Sequence, residues 1–120
     1  TNGLNKKEPV SGSFSYHRRK NMDRLQHLLV KLAEERTEIA QIALKTTQFG
    51  PDGIIPGTNI TNFQKCHLEL DDLLAVVEML NDEFNFGYVP NRANMNVKKA
   101  KVRTYLEHSI RLGFVKDDRV

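Results

Sequence analysis

Four acidic side chains stand where apolar ones belong. Leu25, Leu28, Leu32, Ile39 and Ile42 recur at three- and four-residue steps, and the turn missing from that row is filled by Glu35, with Glu34 beside it and Glu38 one turn on. A second row, Cys66, Leu73, Val76 and Leu80, is interrupted by Glu69, with Asp72 three residues further. Positions i and i+3 of a helix share a face, so Glu35 with Glu38 and Glu69 with Asp72 make two acidic pairs on two apolar stripes. Carboxylates turned into one interior repel each other and lose hydration, which forces them to protonate unless something compensates the charge. A divalent cation does both jobs. The ligand set is all oxygen, with no histidine at Glu-x-x-His spacing. That favours a hard ion, magnesium first and manganese second, over zinc or a di-iron centre. The competing reading is a solvated acidic face. Two matching pairs on separate apolar rows weigh against it.

The elements that must position these groups are helices. The apolar period predicts a first helix from Asn21 to about Gln48, with Asn21 as its N-cap and Asp23 in the first turn. Residues 49–57 carry three glycines and two prolines and must be a loop, long enough to suggest function. Ile54 and Ile55 are out of place in a solvated loop and are expected to dock on the bundle or on a neighbouring subunit. Thr61-Asn62-Phe63-Gln64 fits a capping box and predicts a second helix starting at Thr61, running through Leu70, Leu74, Val77 and Phe84 and breaking at Gly87 and Pro90. A third helix is expected from about Asn94 to Leu112, with Gly113 as its stop. No strand-period segment stands beside these. The fold class is all-α, a helical bundle of three main helices, and a chain this short is expected to complete its core by dimer or tetramer assembly.

Composition narrows the function classes. The chain has 120 residues, 39% hydrophobic and 28% charged, as ordinary globular domains do. Its net charge of +3 resides in the leader, where Lys6, Lys7, Arg18, Arg19 and Lys20 face Glu8 alone, leaving 13 basic and 14 acidic side chains after residue 22. Residues 1–21 therefore read as a flexible basic leader or an artificially added tail, and 22–120 as the folded domain. A nucleic-acid binder working through the leader and the Lys98–Arg103 stretch is the weaker reading, because the remainder is near neutral. No apolar run approaches the roughly 20 residues of a membrane span. The lone cysteine, Cys66, excludes an intramolecular disulfide and makes a cytoplasmic setting the expectation.

Glu34-Glu35-Arg36-Thr37-Glu38 followed by Glu69-Leu70-Asp71-Asp72 resembles the EExxE…ExxD signature of the MazG-like, all-α nucleoside triphosphate pyrophosphohydrolases, above all the short phage-type and mobile-element members. Leu28–Glu35 and Glu69–Leu80 are the most similar stretches, and the likeness spans roughly Met22 to Gly113. The resemblance implies an oligomeric helical enzyme that uses magnesium to split a nucleoside triphosphate into monophosphate and pyrophosphate. It implies Glu35, Glu38, Glu69 and Asp72 as metal ligands, and it places Glu34 at the first motif position, beside Glu35 and Glu38 in the catalytic group.

No Gly-rich phosphate cradle is present, so cationic side chains must hold the phosphates. Lys98 and Lys101 on the third helix are the candidates, with Lys31, one turn before Glu35, a further one. Phe49, Phe84 or Asn81 could select the base. His17, His27, His67 and His108 have no mutual ligand spacing, and Cys66, on an apolar row, reads as core. The alternative from another class is a non-catalytic helical interaction module whose acidic cluster binds a partner.

Overall fold

The computed structural model describes residues 16–119. The chain forms three helices, α1 (Tyr16–Phe49), α2 (Asn62–Phe84) and α3 (Arg92–Arg111). No strand stands among the described residues beyond one isolated bridge between Ile54 and Thr61. The fold is all-α, with three main helices in the expected order. Two compact units divide between Gly87 and Tyr88.

The first unit is an antiparallel hairpin of α1 and α2. Arg24 near the start of α1 pairs with Glu83 near the end of α2, while Thr46 near the end of α1 meets Cys66 at 3.7 Å near the start of α2. α1 begins earlier than the apolar period suggests. Asn21 and Asp23 lie inside the helix and not at its start, because the run Tyr16-His17-Arg18-Arg19-Lys20 holds neither glycine nor proline to stop it. The rest of the basic leader, residues 1–15, lies outside the described residues.

α2 starts where the capping box places it. Thr61 stands in extended conformation, its hydroxyl accepts from the Gln64 amide at 3.0 Å, and the Gln64 side chain accepts from the Thr61 amide at 2.8 Å. The helix ends at Asn85, whose φ of 54° puts it in the left-handed region that asparagine tolerates.

The connection between the two helices is a folded loop. The Ile55 amide donates to Ile60 O at 3.0 Å, and buried Asn62, the first residue of α2, donates its side-chain amide to Gly50 O at the start of the loop at 2.9 Å. Gly53 is required here: a Cβ at this position would lie 2.5 Å from Phe49 O. Ile55 is half-buried, as a docked loop residue should be, whereas Ile54 remains 56% exposed.

The hairpin core is thin. Leu28, Ile42 and Leu80 are its buried apolar side chains among the described residues, and Leu80 alone is fully buried. So few contacts make each one matter. Leu80→Ala is expected to cost about 2–5 kcal/mol, the usual range for emptying a buried leucine site. Urea denaturation of the two proteins measures this, and a difference under about 1 kcal/mol would mean that Leu80 is not the centre of the packing.

The second unit carries α3. Asn91 caps its N-terminus by accepting from the Asn94 amide at 2.9 Å. Its C-terminus is a Schellman turn: Gly113 adopts φ 84° and donates to Ile110 O at 2.9 Å, while the Phe114 amide donates to Ser109 O at 3.0 Å. Gly113 is thus the stop its position suggests. No residue of α3 is buried.

Candidate metal centre

The midpoint of the hairpin brings the acidic pairs together. Glu35 on α1 and Glu69 and Asp72 on α2 each offer a carboxylate oxygen within 4.8 Å of the others. This is the one group of three or more such ligands among the described residues. Antiparallel packing explains the meeting, since both acidic pairs occupy the middle of their helices and share the stripes that pack. Glu69 is buried at 5% exposure, Glu35 is half-buried and Asp72 is exposed.

The burial leaves polar atoms without partners. Oε1 of Glu35 and Oε1 of Glu69 are both buried, and neither has a hydrogen-bond partner. Such atoms are rare in folded proteins because each forfeits its hydration for nothing. Two buried, unpartnered carboxylate oxygens from neighbouring helices call for a compensating cation or proton. That donor set suits magnesium or manganese: hard, anionic, all oxygen, and partly open to solvent at Asp72.

Glu38 is exposed and stands just outside the triad, within the electrostatic reach of Glu35 and Glu69. The negative charge of Glu35 does most to push its carboxyl above the usual range, and Glu69, to which the protonated form hydrogen-bonds, adds to the effect. Glu69 moves the opposite way. The ammonium of Lys65, 2.9 Å from Oε2, holds it below the usual range despite its burial. Glu69 in return raises the affinity of Lys65 for its proton. Glu69 is therefore an anion under ordinary conditions, with one oxygen neutralised by Lys65 and the other uncompensated.

Comparison of the chain with protein-family models, with curated proteins and with solved structures finds no match. The centre must be interpreted from its own atoms.

None of the remaining sequence candidates belongs to the triad. Glu34 is half exposed, and Lys31 donates to it at 3.1 Å one turn away, so this pair forms a surface ion pair on α1. Lys98 and Lys101 lie on α3 in the second unit, where both are exposed. Phe84 is half-buried with the Arg24 guanidinium 5.3 Å over its ring, which gives it a packing role. Asn81 is half-buried, and Phe49 is exposed at the end of α1. His27, His67 and His108 are all exposed, on α1, α2 and α3 respectively, whereas His17 lies outside the described side chains. Cys66 is half-buried beside Thr46, as a packing residue would be. No helix is long and apolar enough to cross a membrane.

Lys65 is the residue that the apolar pattern does not reveal. An i,i+4 lysine–glutamate pair ordinarily marks a solvated face. The signal was Glu69 itself: an acidic residue in an apolar row needs a counter-charge, and Lys65 is the cation one turn before it.

Proposed function

We propose that the protein is a magnesium-dependent nucleoside triphosphate pyrophosphohydrolase, releasing pyrophosphate and a (deoxy)nucleoside monophosphate. The observation that carries the reading is the pair of buried, unpartnered oxygens on Glu35 and Glu69, from two helices, with Asp72 beside them. The resemblance of Glu34–Glu38 and Glu69–Asp72 to the EExxE…ExxD signature supports the same chemistry.

Glu35, Glu69 and Asp72 would hold the ion, with Glu38 completing the set. Magnesium bound there would supply charge neutralisation at the phosphates and activation of a water. Glu38, exposed at the edge of the triad, would be accessible to the attacking water and could take its proton. Glu35 and Glu69 fix the geometry from the helix interface. Glu34, bound to Lys31 outside the triad, would orient water or support Glu35.

Assembly as a homodimer or homotetramer belongs to this reading. Leu29, Leu70 and Leu74 on the hairpin are 43–54% exposed, more apolar surface than two helices cover by themselves. The proposed setting is the cytoplasm.

The test is a panel of canonical and modified nucleoside triphosphates with and without magnesium, read as pyrophosphate release, on protein whose mass is measured by light scattering. Release that requires the ion and an assembly larger than 13.8 kDa are expected. No release from any nucleotide would remove the hydrolase and leave the acidic face as a docking surface for a basic partner.

A further inference from the structure

A cleft of about 430 Å³ adjoins the carboxylate cluster and shares Glu38 and Glu69 with it. From that shared edge, α1 presents Gln41, Lys45 and Phe49 to the cleft at three- and four-residue steps, close to one helical turn each. The opposite wall is the folded loop at Ile54, Ile55 and Pro56. Lys65 lines the cleft as well, its ammonium on the Oε2 of Glu69.

The chemistry is graded along this line. Carboxylates and the Lys65 ammonium stand at one end, Lys45 follows along α1, and an aromatic ring with apolar loop side chains stands at the other end. A ligand matched to that order is negatively charged beside the cation site and flat and apolar beyond it. We infer that this cleft receives the nucleoside end of the substrate, with its base against Phe49 and Ile55 and its α-phosphate held by Lys45 and Lys65. The inference rests on the hydrolase reading for the identity of the ligand, and it moves the phosphate contacts from Lys98 and Lys101 to Lys45 and Lys65.

Lys65 then has two successive partners. Without a cation it compensates Glu69, the most buried carboxylate of the cluster. A cation held by the carboxylates would take over that charge and leave the ammonium free for a phosphate, which lysine binds as a point charge. The Gln41 amide lies on α1 between Glu38 and Lys45, where it can donate to a phosphate oxygen. The loop hydrogen bonds that depend on Gly53 and Asn62 hold the apolar wall in place.

The experiment is an amide NMR titration of the full chain with a nucleoside triphosphate whose α,β-bridging oxygen is a methylene, in the presence of magnesium. The largest shifts are expected at Gly53, Ile54 and Ile55. Lys65→Met should weaken analogue binding by about tenfold or more, the loss of one charged phosphate contact, while the protein still responds thermally to magnesium alone. Shifts confined to α3, no binding, or wild-type affinity in Lys65→Met would each overturn the assignment. Pyrophosphate release by the native protein with a silent loop removes the cleft and keeps the hydrolase. Loop shifts without release remove the hydrolase and keep the cleft as a nucleotide site.

Discussion

Glu69→Gln is expected to lower magnesium-dependent pyrophosphate release by on the order of a hundredfold or more while leaving the helical circular dichroism signal intact. The side chain is 6% exposed, and its Oε1 has no partner within the protein. Glutamine keeps the shape and removes the charge, so the ligand set loses its most buried anion. The stability of the metal-free variant makes the argument sharper. A glutamate kept for structure should leave the protein weaker when replaced. Here the replacement relieves the repulsion that Glu69 exerts on Glu38, and the ion pair it sacrifices joins Glu69 to a lysine side chain that is 41% exposed, a class of contact worth about 1 kcal/mol or less. The metal-free variant should therefore stay within about 1 kcal/mol of the wild type in urea unfolding. Wild-type turnover in Glu69→Gln, or a midpoint well below wild type with turnover lost only through unfolding, would take Glu69 out of the ligand set.

What the sequence made legible is local. Thr61 and Gln64 are three residues apart, and each satisfies a free amide of the same helix end, so the start of α2 follows from four letters. Gly113 stops α3 for an equally local reason, the left-handed turn it adopts. Glu35 and Glu69 stood out because each breaks an apolar row, and antiparallel packing brings both breaks to one level. The start of α1 was missed because Asn21 reads as a good cap, yet nothing ahead of it down to Tyr16 ends the helix. The glycines and prolines of residues 49–57 predicted a loop and could not predict that it folds back on Asn62 and walls a cleft. That depends on contacts to Phe49, Gly50 and Ile60 that no short pattern encodes. Lys98 and Lys101 attracted attention as a basic run, whereas Lys45 and Lys65 stand singly and acquire meaning only from the surfaces they line.

Magnesium alone, without nucleotide, is expected to raise the melting temperature. A ligand that binds only the folded state at a hundredfold excess over its Kd stabilises by about 2.7 kcal/mol. For a domain of this size each kcal/mol moves the midpoint by roughly 4–8 °C, so an upward shift on the order of 10 °C is the scale to look for. Manganese should act similarly and sodium should not, since an anionic all-oxygen ligand set favours ions of high charge density. The size of the shift should depend on pH, and its sign follows from Glu38. The folded state raises the proton affinity of this carboxyl above its unfolded value, chiefly through the charge of Glu35. Its contribution to stability is thus fully present below the ordinary glutamate pKa and is lost as pH rises through the raised one. The metal-free hairpin carries its largest unrelieved repulsion toward neutral pH. Protons also compete least with the ion there, so the magnesium increment should be larger near neutrality than in mild acid. A melting temperature that millimolar magnesium leaves unmoved at both pH values would mean that the orphaned oxygens of Glu35 and Glu69 are relieved by a shared proton, and the cation would lose its place in the mechanism.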